Sequence, residues 1–275
     1  MNFLKENFER LKNAGLKETF EALEAAFSKY EIDFYIIGAR ARDLWTDHLH
    51  LVKRTTEDVD FCIYIQEYGQ FEKLIEDLIT KHGFERDKTQ PYRFYFQGTI
   101  DIIPFGKIEK DGEVKFENPP MELSVYGTKE AVSDAEIIEG GFKVVSLAGL
   151  CIMKLIAFNE KPDLRIKDLH DFTFLLRNYG EIAGNLLFED AEYEDLIDKN
   201  FELQIAAAKI LGRQINSLVA VSPKLLERVK QILQSRLQGF SYEEIDSMYA
   251  VSEQPDEQVE LFKYVSEVLK ELNGE

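Results

Sequence analysis

The chain has 275 residues, 45% of them hydrophobic, with 20 Phe and 12 Tyr. That is enough for one large domain or two ordinary ones, and it excludes a disordered polymer. With 33 basic and 51 acidic residues the formal net charge is −18, which opposes a broad grip on a nucleic-acid backbone, because phosphate contacts work through Lys and Arg. No apolar stretch approaches the roughly 20 residues needed to span a bilayer.

Residues 2 to 29 read as two helices. Phe8, Leu11 and Leu16 are apolar at helical spacing, Phe20, Leu23 and Phe27 repeat the pattern, and Gly15 separates the two. The early acidic residues of Met1 to Arg10, without an apolar run, speak against a signal peptide. The expectation is therefore a cytoplasmic protein without membrane attachment. Asp33 to Ile37 is a short β-rich run ended by Gly38, and Ala39 to Leu49 turns helical again. Val59 to Ile65 is a second strand, and Phe71, Leu74, Ile75, Leu78 and Ile79 mark the helix after it. Tyr92 to Phe96 and Thr99 to Phe105 are two more strands, joined at Gln97-Gly98 as a hairpin. A further hairpin is expected around Lys110-Asp111-Gly112-Glu113, and another within 136 to 146, turning at Gly140-Gly141. From Leu147 onward the pattern is helical. The acidic stretch Phe188 to Glu202 reads as a solvated loop or helix surface. The chain therefore divides into an α/β domain, 1–146, and a helical domain, 147–275.

Arg54-Thr55-Thr56-Glu57-Asp58-Val59-Asp60-Phe61 is the segment richest in chemistry. Alternation along a strand sends Asp58 and Asp60 to one face while Val59 and Phe61 enter the core. Two carboxylates about 7 Å apart along a strand repel unless a positive charge stands near them, and a divalent cation with hard oxygen ligands is the usual remedy. Asp101 is a third carboxylate, alone in the apolar strand Thr99-Ile100-Asp101-Ile102-Ile103, where burial without a partner is costly. Upstream, Ile36-Ile37-Gly38-Ala39-Arg40 forms a glycine turn between strand and helix, whose exposed N–H groups suit a triphosphate. A D-x-D at a strand start is by itself commonly a solvated edge. The order of strand, glycine turn, helix, D-x-D strand and single-Asp strand is much rarer. Cys62 and Cys151 lie in apolar segments and are expected to be buried free thiols, and the four histidines offer no metal-ligand spacing.

This order resembles the nucleotidyltransferase superfamily of DNA polymerase β type. More narrowly, Gly38-Ala39-Arg40-Ala41-Arg42-Asp43, followed by Arg54-x-Thr56-x-Asp58-Val59-Asp60-Phe61, resembles the AbiEii/AbiGii toxin-type nucleotidyltransferases. So do Lys154-Leu155-Ile156-Ala157 and Arg165-Ile166-Lys167-Asp168-Leu169-His170-Asp171. The resemblance covers roughly residues 33 to 176. It implies an α+β fold, with a nucleotidyltransferase-type mixed sheet, flanking helices and a helical carboxy-terminal subdomain. It also implies transfer of a nucleoside monophosphate from an NTP to an acceptor, which could be a small molecule, a protein side chain or an RNA end. Two Mg2+ ions would sit on Asp58, Asp60 and Asp101, with Gly38, Ala39, Arg40 and Lys154 binding nucleotide. Arg54, Thr56, Lys167, Asp168 and Asp171 would support the site. A toxin would bring an antitoxin as partner. One departure is Ala39, where the superfamily has Gly or Ser, so a hydroxyl contact to phosphate is missing. Read from the residues alone, Lys167 and Asp171 could equally form a solvated helix pair, and Lys154 could be a snorkelling lysine. A non-catalytic nucleotide- or partner-binding protein on the same fold is the alternative.

Overall fold

A computed structural model describes residues 2–49, 51, 56, 58–183, 186–197, 199–237 and 255–275. The chain forms two compact units, Met1–Ser146 and Leu147–Glu275.

In the first unit α1 (Asn2–Leu11) and α2 (Lys17–Lys29) are separated by a break at Gly15, whose φ of 103° ends helical geometry. Then come β1 (Phe34–Ile37), α3 (Gly38–Thr46), β2 (Val59–Ile65), α4 (Tyr68–His82), β3 (Glu85–Arg86), β4 (Arg93–Tyr95) and β5 (Thr99–Gly106). A two-stranded ribbon follows, β6 (Glu113–Glu117) and β7 (Pro120–Ser124), then the short helix α5 (Thr128–Ala131) and the hairpin β8 (Glu136–Glu139) and β9 (Phe142–Val144). Seven strands make one mixed sheet in the order β3-β4-β5-β2-β1-β9-β8. Pairing is parallel between β2 and β5 and between β1 and β9, and antiparallel elsewhere.

The helical spacing of Phe8, Phe20 and Phe27 serves one purpose, a single aromatic cluster against the sheet. Phe20 meets Phe142 at 5.2 Å between centroids, Phe27 meets Phe34 at 4.6 Å, and Phe8 and Phe61 join the group. All six rings are buried, and each contributes about 1.5–3 kcal/mol by leaving water. Because Phe61 is committed to that face, strand alternation turns Asp60 to the other.

The expected hairpin at 110–113 is displaced. Asp111 and Gly112 do turn the chain at positive φ, with Lys110 and Glu113 exchanging both backbone bonds. The ladder itself runs from Glu113 to Ser124 and reverses between Glu117 and Pro120. The Asp-Gly pair was the stronger turn signal, but the apolar alternation of Val114 and Phe116, both buried, needs a partner strand downstream.

The second unit is helical: α6 (Leu147–Glu160), α7 (Pro162–Ala183), α8 (Leu186–Glu189), α9 (Leu203–Val219), α10 (Pro223–Leu237) and α11 (Pro255–Asn273). Helix α6 is apolar nearly all round, as its burial requires. Gly212 of α9 lets the backbone of α11 approach, since an added Cβ would stand 3.1 Å from the Val268 backbone. The acidic stretch becomes α8 and a 3-10 turn, Ala191–Leu196, started by the Asp190 carboxylate accepting from the Glu192 N–H. Among the described residues, no helix is long and apolar enough to cross a membrane.

Candidate active site

Strand register assembles the acidic residues. Antiparallel pairing sets Ile37 opposite Asp60, parallel pairing sets Asp60 beside Asp101, and antiparallel pairing sets Asp101 opposite Arg93. Register partners share a sheet face. Ile37, Asp60, Asp101 and Arg93 thus form one row across β1, β2, β5 and β4, with neighbouring strands about 4.8 Å apart. Asp58 lies just before β2, on the alternation of Asp60, and is half-buried, whereas Val59 between them is fully buried.

Gly38 is tied to this row twice. Its φ is +67°, which disfavours a side chain, and an added Cβ would lie 2.0 Å from Asp60 Oδ2. The Asp60 carboxylate therefore rests over the first residue of α3. Ile37, the residue before that helix, has no side-chain oxygen to cap it. Ala39 is buried.

Arg93 is a member of the row that sequence reading passed over. Its Nε donates to Asp101 Oδ1 at 2.7 Å and its Nη2 to Asp101 Oδ2 at 2.8 Å, a fork that engages both carboxylate oxygens. The side chains are 26% and 11% exposed, so the pair is largely shielded from water. Asp101, against the cost of burial, holds the guanidinium above its ordinary range, and Asp58 attracts it further. A signal was available, since Arg93 and Asp101 are equally far from Gln97, and a hairpin turning there must pair them. Among the described residues, no group of three His, Cys, Asp or Glu side chains is disposed to hold a metal ion.

Arg40 turns elsewhere. Together with Arg10, Leu11, Ala14, Asp43, Leu44 and Asp47 it lines a cavity of about 240 Å³ between α1 and α3, which none of the three aspartates borders. Helical spacing explains this, because Arg40, Asp43, Leu44 and Asp47 share the face of α3 that meets α1. Arg42 is fully buried and its guanidinium donates twice to Asp43 Oδ1, at 3.0 and 2.8 Å. Thr56 is half-buried in the segment before Asp58, and Arg54 lies outside the described residues.

In the second unit Lys154 is buried rather than snorkelling. Its Nζ lies 2.6 Å from Asp168 Oδ1 and 2.8 Å from Asp171 Oδ2, which fastens α6 to α7. Burial opposes its charge, but the two carboxylates outweigh it and raise the Lys154 pKa above the ordinary lysine value. Lys167 is exposed. Arg165 reaches Asp168 at 3.6 Å from an exposed position. Cys62 and Cys151 are buried free thiols.

A family profile described as nucleotidyl transferase AbiEii toxin, type IV TA system, matches residues 21–250. The match spans the glycine turn, the aspartate row and the Lys154 cluster. Two solved structures of the antibiotic-resistance factor ANT(2'')-Ia are similar. One is a solution structure, at 15% identity and a TM-score of 0.36, covering 72% of this chain and 92% of that chain. The other is a crystal structure in complex with adenylyl-2''-tobramycin, at 15% identity and a TM-score of 0.36, covering 69% and 94%. No curated protein matches the chain. With most of its length matched by that profile, and a mixed sheet preceding a helical unit, the chain belongs to the AbiEii toxin family of nucleotidyltransferases.

Proposed function

We propose that the chain moves a nucleoside monophosphate from an NTP to an acceptor at the aspartate row, with a divalent cation, Mg2+ in the cell, on Asp58 and Asp60, and that it acts as a toxin. The observation that carries this reading is the Asp60 carboxylate resting over the α carbon of Gly38, in register with Asp101. Asp58 and Asp60 lie on one alternation of the strand, and two carboxylates so placed repel unless a cation stands near them. The donors of Asp58 and Asp60 are hard carboxylate oxygens, so this pair suits a hard divalent cation. Asp101, with both oxygens on Arg93, does not join them as arranged.

A cation bound there supplies charge neutralisation for the triphosphate and its leaving group. The rest falls to the chain itself. The start of α3 presents backbone N–H groups of Gly38 to Arg40, and a positive helix end, to phosphate oxygens. Positioning by rigid strands and a fixed electrostatic field then does most of the work. The contribution of Arg40 is its backbone, since its side chain lines the α1–α3 cavity. Its family adds the toxin reading and with it an antitoxin partner.

The test is incubation with each α-labelled NTP, magnesium and a lysate, followed by identification of the labelled acceptor among small molecules, proteins and RNA. Asp60→Asn should fold normally and lose transfer by more than roughly a hundredfold, about 2.7 kcal/mol of transition-state stabilisation. It should also relieve the growth arrest that the parent chain causes when expressed alone. A folded Asp60→Asn protein that labels its acceptor at the parent rate would make the chain a binding module.

A further inference from the structure

The sequence alone invites a two-ion site on three acids. The arrangement of the row differs from that. Asp101 is the third acid, and both of its oxygens already face a guanidinium at 2.7 and 2.8 Å. A magnesium ion needs carboxylate oxygen at about 2.0–2.1 Å, in near-octahedral order, and sheds water reluctantly. To take Asp101 it would have to displace a two-point, largely shielded charge-assisted fork. It would then stand beside the positive group it had displaced, because backbone register keeps Arg93 opposite Asp101.

Arg93 also feels Asp58, so its positive charge serves the acidic cluster and not Asp101 alone.

We infer that Arg93 is the built-in cation of the third acid, standing where a second metal would, so that this chain loads one divalent ion, on Asp58 and Asp60. This rests on the reading that those two aspartates bind metal. It makes Arg93 a positioning residue: it fixes the Asp101 carboxylate in the row and withholds it from metal.

Manganese is the probe. The full chain is titrated with Mn2+ in the presence of the α,β-methylene analogue of each NTP, and free Mn2+ is counted by its electron paramagnetic resonance signal. The parent should hold one tightly bound ion per chain. Arg93→Met, which keeps length and removes charge, should gain a second site within about tenfold of the first in affinity. Arg93→Met combined with Asp101→Asn removes both partners, so it leaves no unpaired buried charge. It should fold, and should keep the single site within about threefold. A thermal melt of each variant establishes folding. Two comparable ions on the parent chain would overturn the inference. So would a folded Arg93→Met protein that still holds one, or loss of the tight site in the double variant, which would make Asp101 a ligand. A parent chain that holds no Mn2+, with Asp60→Asn indistinguishable from it, would instead remove the metal role of Asp58 and Asp60, and the inference with it.

Discussion

Gly38→Ala tests the coupling between the helix start and the aspartate row. At φ +67° an alanine pays about 1–2 kcal/mol for left-handed backbone. Its Cβ would also stand 2.0 Å from Asp60 Oδ2, 2.9 Å from Cγ and 3.1 Å from Cβ. The carboxyl group must therefore retreat by about 1 Å, and rotating it off its staggered position adds about 0.5–1.5 kcal/mol. The sum is about 1.5–3.5 kcal/mol of stability. The chain carries one tryptophan, and it sits on α3 itself, where Trp45 Nε1 donates to the Val145 carbonyl at 2.8 Å. Urea unfolding followed by Trp45 fluorescence therefore reads the affected helix. In an Asp60→Ala background only the backbone cost and a tight Cβ contact remain, so the same substitution should cost about 0.5–1.5 kcal/mol less. Equal costs in the two backgrounds, or a total below about 0.5 kcal/mol, would refute the packing of Asp60 against Gly38.

Three more outcomes are expected. Lys154→Met removes the buried cation shared by Asp168 and Asp171, leaving only the exposed Arg165 near Asp168, and should cost about 3–5 kcal/mol, measured by loss of helical circular dichroism in urea. Adding Asp168→Asn and Asp171→Asn should recover much of that, and no recovery would show that burial of charge is not the cause. The folded pKa of Lys154 is raised above its unfolded value of 10.5, so its contribution is complete below about pH 10.5 and is lost as pH rises through the folded value. An alkaline unfolding profile should therefore flatten in Lys154→Met. Burial pushes the Cys62 and Cys151 thiols up, out of reach of ionisation at neutral pH, so iodoacetamide should label them only in denaturant, as mass spectrometry would show.

Much of the fold is legible in the residues. The β-rich runs at Phe34 to Ile37, Val59 to Ile65 and Thr99 to Phe105 are strands, because each pairs aromatic or β-branched side chains with a clear turn signal. Gly15 and Gly38 mark real changes of backbone. What fails is information held in partners rather than in the segment. Arg93 reads as one more charge in a strand until the hairpin sets it against Asp101. Arg40 reads as a phosphate ligand until helix phase turns it toward α1. The snorkelling alternative for Lys154 gives way once Asp168 and Asp171 arrive from the next helix. The ribbon Glu113 to Ser124 turns at a place with weaker local chemistry than Asp111-Gly112, so the nearer signal misleads.

The pairing scheme of the central strands has a consequence for the order of assembly. Arg93 meets Asp101 across a tight hairpin, a contact of short loop that closes in microseconds. Asp60 meets Asp101 only when parallel strands join across a crossover containing α4, which costs far more chain entropy. On that ordering Asp101 would acquire its arginine before its strand docks beside Asp60, and the two acids would approach one another already screened. Truncating Arg93 should therefore slow refolding more than it speeds unfolding.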